Sequence, residues 1–260
     1  MANASRTARE RARAELTREI KEEARRQLGA HGAGGLSLRA VARELGMVSS
    51  AIYRYFPSRD DLLTALIIDA YDTLGEAAET ADSAVPAADA RGRWRAVCGA
   101  VRSWALAHPH EYALIYGSPV PGYQAPQATI ASAIRVARVM GGIVAGASTG
   151  PRDAGPGAVM PGLAPATMPG AVPVAATSPT PAPLPSPLAE QTAIVADAIA
   201  PGVPGPEIAR GVIAWTQLFG MVSFELFGQF AGTFDPADCF FDHAVEQMAA
   251  YIGLPDRRPA

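Results

Sequence analysis

The fold turns on "LSLRAVARELGMVSSAIYRYFPSRDDLLTALI", Leu36 to Ile67. Leu38, Val41, Ala42 and Leu45 recur at helical spacing. Ser37 can cap that helix with its side-chain oxygen, and Gly46 can close it. A second short helix follows, with Ile52 and Phe56 four apart and turned towards Val41 and Leu45. Pro57 stops it. Ser58 and Asp61 then make a capping-box-like pair, and Asp60 and Asp61 suit the positive end of a third helix. Its buried stripe is Leu62, Leu63, Leu66, Ile67, Ala70, Tyr71 and Leu74. Two short helices about a Gly-centred turn have helix-turn-helix proportions.

In this register Ser49, Ser50, Tyr53 and Arg54 fall on outward arcs of the second helix. Small residues at its start let backbone approach a groove. Tyr53 and Tyr55 can offer hydroxyls to phosphate oxygens, and Arg54 and Arg59 can supply charge. The first amides after Pro57-Ser58 can also meet a phosphate. From the residues alone two readings stay open: a DNA reader, and a helical hairpin whose tyrosines are half-buried packing residues.

Charge separates the chain into two parts. Residues 1–59 hold 12 Arg plus Lys and 6 Glu, a net +6; residues 60–260 hold 10 Arg and 19 acids, a net −9. A basic head on an acidic body points the head at a polyanion. Arg6, Arg9, Arg11 and Arg13 could form a basic arm, or the Arg/Glu interleaving could simply solvate a helix face.

The same segment, following one amphipathic helix (Ala12, Leu16, Ile20, Ala24, Leu28), resembles the DNA-binding domain of the TetR family of transcriptional regulators. The resemblance covers roughly residues 14–70; Ser37, Ala42, Gly46, Tyr53, Phe56, Arg59 and Leu62 fall on the family's pattern. It implies phosphate contacts from Ser37, Tyr53, Tyr55 and Arg59. It implies base-edge contacts from Arg39, Ser49, Ser50 and Ala51. Val48 departs from the pattern, standing where a capping Ser or Thr is usual, so that the recognition helix begins one residue later. Tyr55 stands where His is commonest. Arg39 can offer two donors to guanine, whereas serines read bases poorly, so some reliance on DNA shape is expected.

Beyond Ala81 helical spacing continues, and strand signals are almost absent. Helices are expected at Trp94–Ala105, Glu111–Tyr116, about 126–147, 188–200, 207–230 and 236–253. Between them Gly150 to Pro187 has 11 prolines in 38 residues, a composition that sustains no regular element. The fold class expected is therefore all-α. An N-terminal three-helix helix-turn-helix domain, residues 1–62, precedes a helical ligand-binding and dimerisation domain, residues 63–260, with a Pro-rich disordered insertion at about 150–187.

The helix from Glu207 is apolar on both sides. One stripe holds Ile208, Val212, Trp215, Phe219, Val222, Leu226 and Phe230; the other holds Ile213, Leu218, Met221, Phe224 and Phe227. One side can take the body's core, and the other suits an identical chain. Val212, Phe224 and Phe227, with Phe241, Val245 and Met248 of the last helix, are the expected homodimer interface. The same helix could pass for a membrane span by length, but Glu225 and scattered polar residues argue for a buried helix.

"AHPHEYALIYGSPVPGYQAP" and "AWTQLFGMVSFELFGQF" resemble a TetR C-terminal class named for a Trp, a His and a Gly. Trp215 and Gly220 match, and Phe219 replaces the His. In this family the C-terminal helices bind a small molecule and pair two chains. Trp94, Trp104, Tyr112, Tyr116, Met140, Trp215 and Phe219 are the expected pocket residues, favouring an apolar or aromatic effector. Arg102, Arg135 and Arg138 could recognise an anionic group or lie on the surface.

The function expected is a DNA-binding regulator, released as a repressor from a palindromic operator by a small apolar ligand. A non-sensing architectural DNA binder is the alternative. An enzyme is not expected: there is no nucleophile elbow, phosphate loop or paired-carboxylate signature, and His108 and His110 flank a proline rather than share a helical face. No cofactor or metal is expected. Cys98 and Cys239 are expected as two buried, reduced thiols. The first 26 residues are charged and polar, without a secretory pattern, so the cytoplasm is the expected location and no membrane partner is expected.

Overall fold

The computed structural model describes residues 2–149 and 184–255, with side chains for 7–147 and 184–255. Eleven helices occupy them: α1 (Ala2–His31), α2 (Leu38–Glu44), α3 (Ser49–Ile52), α4 (Arg59–Ser83), α5 (Ala90–Ala107), α6 (Pro109–Tyr116), α7 (Ile130–Ala133), α8 (Arg135–Thr149), α9 (Ser186–Ile199), α10 (Gly205–Leu226) and α11 (Asp238–Tyr251). No strand occurs among the described residues. The chain is all-α. Most of the Pro-rich insertion expected at about 150–187 lies outside the described residues; from Ser186 the chain is already helical, with Pro187 in the first turn, where a missing N–H costs nothing.

Local chemistry explains the punctuation. Ser37 caps α2, its Oγ accepting from the Ala40 amide at 3.4 Å. Gly46, at φ 65°, ends it: the Met47 amide donates to the Ala42 carbonyl at 2.8 Å and the Gly46 amide to the Arg43 carbonyl at 3.1 Å. That pair of bonds is a Schellman turn, and it fixes the angle at which α3 leaves α2. An alanine at Gly46 would hold an unfavourable left-handed conformation. We expect Gly46→Ala to cost about 1–2 kcal/mol of stability, read from a thermal or denaturant melt. Ser58 caps α4 by accepting from the Asp61 amide at 3.1 Å, and its hydroxyl donates to Asp61 Oδ2 at 2.7 Å.

Three elements differ from expectation. The helix expected over 126–147 is broken at Ile134 into α7 and α8, and bends by 44°. The helix expected to reach 230 stops at Leu226, because Gly228 adopts φ 77° and the Gln229 amide turns back to the Phe224 carbonyl. The first helix starts at Ala2, well before Ala12. Among the described residues no single helix is long and apolar enough to cross a membrane; the bent pair formed by Gln127–Ala133 and Arg135–Ala147 has the length and composition.

Two apolar cores result. The head's core gathers Ile20, Leu28, Val41, Ile52, Phe56 and Leu63. The body's core gathers Leu74, Trp94, Val101, Tyr112, Leu218 and Met248, among others. α4 serves both: Leu62, Leu63, Leu66 and Ile67 face the head, and Ala70, Leu74 and Ala78 face the body. α6 bridges them as well, since Ile115 packs on both cores. Ion pairs stitch the same seam: Lys21 and Arg25 of α1 reach Asp69 of α4 at 2.7 Å each, and Arg25 reaches Glu111 of α6 at 3.2 Å.

Candidate nucleic-acid interface and ligand cavity

The second short helix, expected to carry Ile52 and Phe56 together, ends at Ile52, and Tyr53 to Phe56 form the turn after it; Ile52 and Phe56 are nonetheless both buried against Val41, with Leu45 half-buried beside them. The opposite side presents Arg39, Ser49, Ser50, Tyr53 and Arg54, all exposed. Arg39 has no ion-pair partner among the described residues, so its guanidinium is available. α3 begins at Ser49 with Val48 at the capping position and no side-chain cap. Val48 is 70% exposed, an apolar tip beside two serines that reading for polar groups passes over. Such a side chain suits a thymine methyl.

Other expected contact residues are placed differently. Ala51 and Ser37 are half-buried, and the Ser37 hydroxyl is occupied as a cap. Tyr55 is half-buried, with the Arg13 guanidinium 5.4 Å from its ring centroid; Arg13 Nη2 also donates to the Arg54 carbonyl at 3.1 Å. Arg59 turns inward: Nε donates to the Leu36 carbonyl at 3.1 Å and Nη2 to the Ala33 carbonyl at 2.6 Å. It thereby ties the start of α4 to the turn before α2, leaving little of its fork for phosphate. Along α1, Arg18 pairs with Glu15 and Glu22 of its own helix, while Arg9 and Arg11 are exposed.

In the body, α5, α8, α9 and α10 line a cavity of about 300 Å³ that opens to the surface beside Val212. Three of the seven expected pocket residues line it: Trp94, Met140 and Trp215. The wall is apolar almost throughout, with Glu207 as its charged member. Small residues make the space. A Cβ at Gly211 would meet nothing within 4 Å, and at Gly141 it would strike the Ile199 carbonyl, so glycine there lets α8 and α9 approach.

The other four expected pocket residues lie outside the wall. Trp104 stacks on His108 at 5.1 Å, and its indole N–H donates to Thr73 Oγ1 at 3.2 Å. The Tyr112 hydroxyl donates to the Phe219 carbonyl at 2.8 Å and meets Ser223 Oγ at 2.9 Å. Tyr116 and Phe219 form a layer behind Trp215: ring centroids are 6.5 Å for Tyr116–Trp215, 5.0 Å for Trp215–Phe219 and 4.3 Å for Tyr116–Phe219. Tyr116 continues to Tyr71 of α4 at 6.0 Å. Burial pushes the Tyr116 and Tyr112 phenols above their ordinary range, so both stay neutral hydroxyls.

The body arginines hold helices together. Arg102 of α5 grips Glu225 of α10 with two bonds of 2.6 and 2.7 Å and Asp238 of α11 with one of 2.8 Å. Arg135 lies over Gly75 of α4 and pairs with Glu79 at 2.7 Å and Asp72 at 3.1 Å. Its hydrogen bond holds the Glu79 carboxyl below the usual range. Arg138 donates to the Ala198 carbonyl at 3.2 Å.

Of the expected pairing residues, Phe241, Val245 and Met248 are 3%, 3% and 1% exposed, buried in the chain's own core. Val212, Phe224 and Phe227 are 38%, 54% and 48% exposed. Ile213, Gln217, Gly220, Phe224 and Phe227 form one exposed helical stripe at spacings of four, three, four and three. A Cβ at Gly220, in its middle, would meet nothing within 4 Å.

This geometry has relatives. A family model described as the tetracyclin repressor-like C-terminal domain matches residues 94–248, and one described as bacterial regulatory proteins of the tetR family matches residues 20–66. HTH-type transcriptional regulators Mb1846 of Mycobacterium bovis and Rv1816 of Mycobacterium tuberculosis are each 49% identical over 143 residues, 54% of this chain and 60% of theirs. The match thus spans less than two thirds of those relatives. The crystal structure of SCO4313 is similar at 28% identity and a TM-score of 0.68, over 93% of this chain and 98% of that one. A Rhodococcus sp. RHA1 protein of unknown function shares the fold at 24% identity and a TM-score of 0.59, over 92% and 95%.

Proposed function

The chain belongs to the TetR family, a transcriptional regulator with a DNA-binding helix-turn-helix, and on that premise we propose that it acts as a homodimeric repressor released from an inverted-repeat operator by a small apolar ligand. Its relatives are regulators by name and not enzymes. Its place of work on this reading is the cytoplasm. The observation that carries the proposal is the exposed face of Arg39, Ser49, Ser50, Tyr53 and Arg54 on a head of net charge +6, backed by buried Ile52 and Phe56.

Each head enters the major groove of one half-site. Arg39 offers two donors to guanine, Val48 meets a thymine methyl, and Ser49 and Ser50 bring backbone close to base edges. Tyr53 and Arg54 hold phosphates and fix the register. Tyr55 and Arg59 act from behind, bracing the helix rather than touching the strands. We expect Arg39→Ala to cost about 1–3 kcal/mol at one base position and relax preference there, whereas Tyr53→Phe weakens all sequences alike. Gel shifts on matched and substituted operators separate the two; equal loss on every probe for Arg39→Ala would refute base reading.

Pairing uses the α10 stripe from Ile213 to Phe227. Gly220 at its centre allows a second helix to approach closely, and the phenylalanines lose their water on contact. The ligand occupies the 300 Å³ cavity. Its entry displaces Trp215, which bears on Tyr116 of α6, which bears on Tyr71 of α4. Both helices touch the head's core, so the shift biases the separation of the two heads away from the half-site spacing. Tyr116→Leu is expected to keep operator and ligand affinity within about threefold while cutting their coupling by most of its usual 1–3 kcal/mol. Operator binding titrated with and without ligand measures it.

The direct test is selection of bound DNA from a random pool. An inverted repeat is expected. A purified chain that stays monomeric and ignores every duplex at low salt would remove the proposal.

A further inference from the structure

The two ends of α1 keep different company. Near its C-terminus the helix lies on the body: Arg25 reaches Glu111 of α6 at 3.2 Å, and a Cβ at Gly29 would meet the His110 ring at 3.0 Å. At Arg13, about 24 Å back along the axis, it lies beside the reading face of the head. There Arg13 Nη2 donates at 3.1 Å to the carbonyl of Arg54, in the turn that follows α3, and its guanidinium is 5.4 Å from the Tyr55 ring centroid. The helix does not stop at that level. It runs on to Ala2, about 16 Å farther from the body.

This overhang has no core to serve, since residues 7–15 are all exposed. Residues 2–13 hold four arginines and one glutamate. Helical register sorts the arginines: Arg9 lies one turn before Arg13 on the same face, and Arg11 falls on the opposite one. Farther along α1, Arg18 is bracketed by Glu15 and Glu22, the pattern of a face that neutralises itself in water. Arg9 and Arg11 make no ion pair among the described residues. A face that meets the end of the reading helix at Arg13 meets, one turn beyond, whatever that helix reads. We propose that the α1 overhang is a second DNA-contact element: its Arg9–Arg13 face runs beside the duplex backbone, and the Arg9 guanidinium takes a phosphate there. This rests on reading the head as a DNA reader and extends its footprint past α2 and α3. A phosphate contact adds affinity and register without base preference. Because the same helix is tied to the body at Asp69 and Glu111, a tilt that withdraws α3 lifts this contact with it.

The test removes one charge at a time. Arg9→Gln and Arg11→Gln take the same charge from the same overhang, on opposite faces. Binding by the full chain is titrated over a range of salt, on the operator recovered by selection and on a mixed-sequence duplex. Arg9→Gln is expected to flatten the slope of log K against log salt by about 0.9 per head on both duplexes. Affinity at about 0.1 M salt should fall roughly five- to tenfold per head. Arg9→Lys restores the slope, and Arg11→Gln keeps affinity within about twofold of the parent, as screening of a distant charge requires. Ethylation interference loses flanking phosphates with Arg9→Gln and none with Arg11→Gln. Melting temperatures stay with the parent's, since neither side chain is buried. An unchanged slope for Arg9→Gln, or equal losses for the two variants, overturns the overhang contact and leaves the helix-turn-helix reading in place. A parent chain that binds neither duplex overturns both.

Discussion

Changing Ile213 and Phe224 together to glutamate is expected to leave a folded monomer that holds a full inverted repeat at least a hundredfold more weakly than the parent. The two side chains are 50% and 54% exposed, three turns apart on one face of α10. Neither belongs to the buried core, so charge there costs the single chain little. Across a two-fold axis, however, each glutamate would lose water without gaining a partner, and four carboxylates would crowd one seam. Without pairing, the second head no longer binds at the high local concentration the first provides, an advantage of 10² to 10⁴. Affinity for an isolated half-site should stay within severalfold. Sedimentation, far-UV circular dichroism and gel shifts on full and half operators read these separately. A persistent dimer with unchanged operator affinity would move the interface elsewhere. Met248→Glu is the contrast: that side chain is 1% exposed, and a charge there unfolds the body instead of dividing a pair.

The second large effect is expected from Gly211→Leu. Gly211 lines the cavity, and a Cβ there meets nothing, so the new side chain grows into free space. It should lower ligand affinity at least a hundredfold by occupying the site. The same change removes a glycine from the middle of a 22-residue helix. That gains about 0.8–1 kcal/mol of helix propensity, so the melting temperature should hold or rise. Operator affinity is unaffected, and the variant becomes a repressor deaf to its effector. Loss of stability together with loss of response would mean that the space is too small for the side chain, and that the cavity reading is wrong.

The helix-turn-helix was legible because its signals are local. Ser37, Gly46, Ser58 and Asp61 each act within four residues, and the structure puts their bonds where the spacing requires. Arg59 was not legible. Its acceptors are carbonyls 23 and 26 residues away, in a turn whose path no periodicity encodes. The same limit explains α11. Phe241, Val245 and Met248 make a good apolar stripe, but whether it faces a partner or the chain's own α5 and α10 depends on packing among distant segments. Large pocket residues could be named in advance, as Trp94, Met140 and Trp215 were. The void could not, since a cavity is defined by missing atoms and by how closely α8 and α9 approach at Gly141. Trp104 and Tyr112 resemble pocket aromatics in sequence; only their hydrogen bonds to Thr73 and Phe219 mark them as packing.

One helix, Arg59–Ser83, gives its first turns to the head and the rest to the body without a break. A chimera that borrows the head of a relative by splicing at Leu62 would strand Leu63, Leu66 and Ile67 on the recipient's side of the cut. The donor head would arrive without the floor it folds on. A transplant has to carry the helix whole, with the Asp72 and Glu79 notch for Arg135, and so inherits the donor's wiring along with its DNA preference.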